Sequence, residues 1–150
     1  MKMQKGLGWG KALVAGIAYA VISQAIRIIE SFFTMDYYTD PANFALWSRM
    51  MMPGAGAPPM EFFIYNLLFG VLIGMVFAYA YNSIKSAIPA ENSWMRGVKF
   101  GWLLFLVAGI PGFIMLFMIL AVPVMLNFSW LVSGLVVYLL GGAAIGKIIG

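Results

Sequence analysis

"GKALVAGIAYAVISQAIRIIESFF", residues Gly10 to Phe33, is the stretch that decides the fold. A helix that crosses a bilayer needs about 20 predominantly apolar residues, and this run is long enough. Comparable runs follow, so the sequence predicts four transmembrane helices over residues 10–33, 62–82, 98–122 and 128–149. The predicted fold is an all-α polytopic membrane protein, a single transmembrane domain over residues 1–150 with its helices in an antiparallel bundle.

The overall composition supports a lipid environment. Hydrophobic residues make up 63% of the chain, charged residues 9%, and the mean hydropathy is +0.95. A soluble domain carries about 25% charged residues. Too little polar surface is present to cover a globule in water, so membrane lipid is the predicted partner of most of the surface.

The basic residues predict how the chain lies in the membrane. The net charge is +4, and the lysines and arginines flank the apolar runs: Lys2, Lys5, Lys11, Lys85, Arg96, Lys99 and Lys147. By the positive-inside rule, both termini are cytoplasmic in a multi-pass protein of the cell membrane. No cluster is dense enough for nucleic acid, which is not a predicted partner. An alternative is a cleaved signal peptide ending at "AYA" (Ala18–Ala20), but the apolar pattern continues beyond it.

The composition also excludes several kinds of site. The chain has no Cys and no His, which excludes disulfides, thiolate zinc sites, His-ligated haem and Ser-His-Asp triads within it. The 12 methionines could bind Cu(I), but adaptable packing is the commoner role of Met in apolar surroundings. No spacing of acidic residues specifies a reaction. We therefore predict no metal, no cofactor and no enzymatic activity.

The outward loop, residues 34–61, contains its own helix signal. In "TDPANFALWSRMMMPG", Asp40 suits an N-cap and Pro41 suits the first helical turn. The sequence predicts a short helix from Pro41 to Met52 that ends before Pro53. It is too short to span the bilayer, so we expect it in the outer interface.

A polar stripe runs along the first apolar run, through Ser23, Arg27, Glu30 and Thr34, with Gln24 beside it. Arg27 lies about 8 Å beyond the midpoint of that run, inside the hydrocarbon edge at about 15 Å. One interpretation is that Arg27 snorkels outward and pairs with Glu30. The other is that the stripe faces a cavity under the loop that receives an anionic or zwitterionic ligand. The ligand-binding residues would be Ser23, Gln24, Arg27, Glu30 and Asn66.

Small residues predict the helix contacts, because close approach in lipid depends on them. The predicted packing residues are Gly70, Gly74, Ala78, Gly134, Gly141, Gly142 and Gly146. The two glycine faces of the fourth span could serve different neighbours, one of them another protomer or subunit. Pro111 should kink the third span. Ser129 and Ser133 are expected to bond back to their own helix.

Three segments carry a resemblance to known proteins: "YYTDPANFALWSRMMMPGAGAPP", "LFLVAGIPGF" and "SWLVSGLVVYLLGG". They resemble a group of small four-helix integral membrane proteins of bacteria and archaea whose function is uncharacterised. The likeness covers most of the chain from Tyr37 onward. It implies a fold, and it transfers no catalytic or binding residue.

Three functions remain open from the sequence. The first is a non-enzymatic membrane protein, either an accessory subunit of a membrane complex or a small homo-oligomer. The second is a binder or transporter of a small molecule or lipid, with an outer-leaflet site around Arg27. The third is an enzyme that acts on a lipid at the outer interface.

Overall fold

The computed structural model describes residues 6–54 and 57–150, and this part of the chain contains helices but no strand. The helices are α1 (Trp9–Thr39), α2 (Met60–Ile84), α3 (Ser93–Leu104), α4 (Ile110–Ile119) and α5 (Val124–Ile149). A π-helical segment, Phe105–Gly109, joins α3 and α4 into one continuous third span. Four helical units are long and apolar enough to cross a membrane: Trp9–Thr39, Met60–Ala87, Ser93–Ile119 and Val124–Ile149. The chain is therefore a membrane protein with four candidate spans.

The third and fourth spans begin before the predicted positions. α3 starts at Ser93 rather than at 98, because Asn92 caps it by accepting a 2.9 Å hydrogen bond from the Met95 amide. The third span ends at Ile119 rather than at 122, and the chain is extended from Leu120 to Pro123. A proline has no N–H and disfavours helix in the residue before it. α5 then starts directly after Pro123, whereas the sequence predicted a start at 128.

The loop helix is shorter than the sequence predicts, and it is of the 3₁₀ type. It covers Pro41–Leu46, and Asp40 caps it by accepting a 2.9 Å hydrogen bond from the Ala42 amide. The backbone becomes extended at Trp47, which accounts for the loss of the predicted turns up to Met52. The Ser48 hydroxyl accepts from the Met51 amide at 3.2 Å and starts a separate turn. Serine side chains compete with helical hydrogen bonds in this way.

The third span meets α5 through backbone contacts between glycines. A Cβ added at Gly142 would collide with Gly97 and Gly101 of α3, and one at Gly146 would collide with Gly97. A methyl group at these positions would force the helices apart. Gly142 and Gly146 therefore pack against α3 of the same chain.

The other glycine face of α5 and the small residues of α2 meet α1. A Cβ on Gly74 would lie 2.7 Å from the Tyr19 Cβ and 2.8 Å from the Gly16 Cα, and one on Gly70 would lie 3.0 Å from the Ala20 Cβ. Gly141 faces the Tyr19 ring, and Gly134 faces Arg27. Both glycine faces of α5 thus pack within the chain, which removes the reason to assign one of them to a second protomer.

The buried core lies towards one end of the molecule. It is formed by Ala15, Tyr19, Ala78, Tyr81, Phe100, Val137, Ile145 and Ile149. We call this end, which carries Lys85, Lys99 and Lys147, the basic end, and the opposite end, which carries residues 40–54 and 120–123, the loop end. α4, which runs towards the loop end, contains no buried residue. The packing is therefore close at the basic end and open at the loop end.

Candidate functional site

Polar side chains join α1 to α5 in the half of the molecule nearer the loop end. Arg27 Nη1 donates to Ser133 Oγ at 2.9 Å. Ser129 Oγ donates to Glu30 Oε1 at 2.5 Å, and Thr34 Oγ1 donates to the same oxygen at 2.9 Å. We call these five residues the polar seam. Interhelical hydrogen bonds of this kind stabilise membrane helices modestly, by about 0.6 kcal/mol on average.

The seam differs from the predicted Arg27–Glu30 pair, and it differs from the serine prediction at Ser129 but not at Ser133. Arg27 and Glu30 bond to serines of α5 and not to each other. Ser129 bonds across to α1 rather than back to its own helix, and Ser133 accepts from Arg27 while donating to the Trp130 carbonyl at 3.3 Å. The physical reason is that α5 turns both serines towards α1, where Glu30 accepts from Ser129 and Arg27 donates to Ser133.

Next to the seam, a cleft of about 190 Å³ separates the third span from α5. Arg27 of α1 lies at its edge. The α5 residues that line the cleft lie on one face of that helix, and the third-span residues lie on one face of theirs. The lining residues are Arg27, Phe105, Ala108, Gly109, Gly112, Phe113, Leu116, Asn127, Trp130, Leu131, Gly134 and Tyr138.

Asn127 is the unusual residue of this cleft. Its side chain is 1% exposed, and neither Oδ1 nor Nδ2 has a hydrogen-bond partner among the described residues. A buried polar group without a partner costs about 1–3 kcal/mol in proteins. The amide therefore lies beside the cleft with both of its polar atoms covered by the surrounding residues.

Arg27 supplies a positive charge at the same cleft. Its side chain is exposed on the surface of the chain, and within the described residues only Nη1 has a protein partner. A Cβ on Gly134 would lie 4.0 Å from Nη2, so the guanidinium group lies along the cleft wall of α5. A guanidinium group has five donors in a planar fork, and the remaining donors can bind an oxygen-rich group.

The π-helical segment shapes the opposite wall. The Ile110 amide donates to the Phe105 carbonyl, five residues back, which widens the helix directly before Pro111. Pro111 cannot donate a backbone hydrogen bond, so regular α-helix is interrupted here. Such π-bulges often occur at functional sites. Beyond the proline, a Cβ on Gly112 would meet no atom within 4 Å, and this glycine keeps the cleft open.

Aromatic rings border the cleft at two places along its length. Towards the basic end, Phe105 and Tyr138 have ring centroids 6.3 Å apart. Towards the loop end, the Trp130 indole donates to the Tyr38 hydroxyl at 2.7 Å, and Trp47 of the loop packs on both rings. The long side of the cleft is open, because Ala108 and Leu116 are exposed.

The structure places the predicted ligand residues in different surroundings. Arg27 lines the cleft, while Glu30 is 9% exposed and lies in the seam. Ser23 and Gln24 are partly exposed and do not line it. Asn66 is exposed on α2, away from the cleft lining. Its spacing from Gly70 predicted a packed position, but Asn66 is exposed whereas Gly70 and Gly74 contact α1.

Sequence reasoning missed Asn127, Gly112 and Tyr138. The predicted span limits, 98–122 and 128–149, place Asn127 in the turn between the third and fourth spans. The available signal was Pro123, which starts a helix well and places Asn127 in the first turn of α5. No comparable signal pointed to Tyr138, because its role depends on the packing of the third span.

No protein-family model, curated protein or solved structure matches the chain. The resemblance of three sequence segments to small prokaryotic membrane proteins therefore stays a prediction.

Proposed function

We propose that this protein is a non-catalytic membrane protein that takes an amphiphilic molecule from the surrounding lipid into the cleft between the third span and α5. The observation that carries the proposal is the buried amide of Asn127, whose donor and acceptor both lack a partner. The amide is covered by the surrounding residues, so in this proposal the cleft wall moves when a ligand bonds to it. A ligand that bonds to it would recover the free energy that its burial costs.

The shape of the cleft suits a molecule with a polar head and an apolar body. Arg27 and Asn127 offer polar atoms, and Phe113 and Leu116 offer apolar contact. The exposed residues along the long side, Ala108 among them, give an entrance from the side of the bundle. A lipid-soluble ligand could enter through it without crossing water.

Two observations favour a binder or carrier over the other functions. Glu30 is buried and bonded to Ser129 and Thr34, so it is not placed to act as an acid or base in the cleft. The glycine faces of α5, which suggested an accessory subunit or a homo-oligomer, contact α1 and α3. In this proposal, any association with further copies or subunits uses surfaces that otherwise face lipid.

The proposal includes an arrangement in the membrane. We infer an antiparallel bundle of four spans in the cell membrane, with both termini on the cytoplasmic side and the Pro41–Leu46 segment in the outer interface. The positive-inside rule supports this orientation, because the basic end carries most of the lysines. The cleft would then open to the outer leaflet.

The proposal is tested by filling the cleft. In Gly112→Leu, the new side chain points into open space and should occupy the ligand volume without a backbone clash. Chains purified in a mild detergent are examined by native mass spectrometry for lipid that stays bound. We expect the wild-type chain to retain an amphiphile and Gly112→Leu to lose it.

The matched control is Gly10→Leu, since Gly10 also has open space around it but lies at the start of α1. This variant should retain as much lipid as the wild-type chain. Ala108→Leu is a second filling variant on an exposed helical position of the cleft. Equal retention by the wild-type chain and both filling variants would contradict the proposal.

A further inference from the structure

We propose that the cleft selects an amphiphile with a phosphate headgroup, bound by Arg27. This inference rests on the proposed function, because it names the chemical class of the ligand for the same cleft. It depends on the charge of the cleft and on the kind of hydrogen bonds that its unpaired groups can make.

The charge of the cleft is positive. Arg27 is the one charged residue among those that line it in the described part of the chain. Glu30, three residues along α1, is turned into the seam and is 9% exposed. A cation inside the hydrocarbon region is costly unless an anion or a polar cavity accompanies it. An anionic headgroup at this position would neutralise Arg27, whereas a cationic headgroup would be repelled.

The free donors of Arg27 narrow the class further. The guanidinium group has five donors, and within the described residues only Nη1 has a protein partner. A phosphate offers several acceptor oxygens to the donors that remain. Arginine also matches phosphate geometry with two parallel hydrogen bonds.

The rest of the cleft accommodates the start of an apolar chain. Its volume of about 190 Å³ is of the order of a headgroup with a short length of chain, and its side is open. The remainder of the chain would lie among the exposed apolar residues of α4, such as Met115 and Ile119. The ligand would therefore remain part of the membrane while its headgroup is held by the protein.

Three probes test the inference on the wild-type chain: dodecyl phosphate, dodecanol and inorganic phosphate. Each is titrated into the purified protein in a non-ionic detergent, and bound probe is counted by native mass spectrometry. Because hydrogen bonds between charged groups are stronger than those between neutral groups, dodecyl phosphate should bind at least about tenfold more tightly than dodecanol. Inorganic phosphate alone should bind weakly, since it lacks the apolar chain.

Arginine variants separate the headgroup from the cleft. Arg27→Gln keeps a donor for Ser133 but loses the charge, and it should lower the affinity for dodecyl phosphate about tenfold while leaving that for dodecanol nearly unchanged. The affinity of Arg27→Lys for dodecyl phosphate should lie between that of the wild-type chain and that of Arg27→Gln. The control is Arg49→Gln, an exposed loop arginine that does not line the cleft. It should bind like the wild-type chain.

The outcomes distinguish this inference from the proposed function. If dodecyl phosphate and dodecanol bind equally well and Gly112→Leu loses both, the preference for a phosphate headgroup is wrong. The cleft would still be a site for an amphiphile. Tight binding of inorganic phosphate would overturn the inference that the bound phosphate belongs to a lipid. No binding of any probe to the wild-type chain, or binding that Gly112→Leu leaves unchanged, would overturn both. The comparison of probes on the wild-type chain does not depend on any variant folding.

Discussion

The third span and α5 meet in two different ways along their length. Near the basic end, Gly97 and Gly101 lie so close to α5 that any side chain would collide with its backbone. Near the loop end, Gly112 of the same span has open space on its free side, and α4 buries no residue. Both halves are apolar. The distribution of small residues and the π-helical segment, rather than hydrophobicity, decide where the pair is closed and where it is open.

The two halves are also held together by different forces. At the basic end the contacts are between glycine backbones and buried apolar rings, such as Tyr81 against Phe100 at a centroid distance of 5.4 Å. Nearer the loop end, α1 and α5 are joined by the polar seam and the third span takes no part in it. The closely packed half at the basic end holds the helices together. The half nearer the loop end, which has unpaired polar atoms, contains the candidate site.

The largest expected effect comes from adding a methyl group to each half of the third span. Gly97→Ala forces α3 away from Gly142 and Gly146, and we expect it to lower the free energy of unfolding by about 1–3 kcal/mol. Gly112→Ala meets no neighbour, and we expect no loss or a gain of about 0.5–1 kcal/mol, because alanine favours helix over glycine. Unfolding by sodium dodecyl sulfate in mixed micelles, followed by circular dichroism, measures both. A loss in Gly112→Ala as large as that in Gly97→Ala would show that the two halves do not differ.

A smaller effect is expected from the polar seam. Ser129→Ala leaves the buried Glu30 with Thr34 as its remaining side-chain partner, and we expect a loss of about 0.6–1.7 kcal/mol, the range of such bonds in membranes. Ser133→Ala should cost less, because Arg27 is exposed and can turn to other oxygen atoms.

The same unfolding titration measures both serine variants. The control is Ser31→Ala, a partly exposed serine whose hydroxyl donates to the carbonyl of Ile28 on its own helix, and it should change the free energy of unfolding little. If Ser133→Ala were the more damaging seam variant, Arg27 rather than Glu30 would be the main polar contact between α1 and α5.

The membrane spans could be predicted from the sequence because each depends on one continuous property, apolar length. Their limits could not, because they depend on single residues such as Asn92 and Pro123 that start or stop a helix near the edge of an apolar run. The loop helix shows the same limit. Asp40 and Pro41 signalled its start, but its end is set by the docking of Trp47 on Tyr38, a tertiary contact.

The candidate site was only partly predictable for a related reason. Arg27 stands out in any apolar run because a charge there is costly. Asn127 does not stand out until its helix and its neighbours are known, since an asparagine beside a proline also suits a turn. Asn66 shows the opposite error, because helical periodicity gives a face but not how far along it the neighbouring helix stays in contact.

The smallest expected effect is a difference in motion between the two halves, and the absence of native cysteine makes it measurable with paired nitroxide labels. One pair, Trp102→Cys with Leu140→Cys, reports on the closed half, and the other, Met115→Cys with Val132→Cys, reports on the open half. All four positions are exposed, so the labels should not disturb packing. We expect a broader distance distribution for the second pair in pulsed electron paramagnetic resonance, because α4 has no buried contact to fix it. Dodecyl phosphate should narrow that distribution and leave the first pair unchanged, since a ligand in the cleft contacts α4 and α5 together. Two distributions of equal width would mean that the open half is as rigid as the closed one, and that the cleft is a fixed pocket rather than one that a ligand tightens.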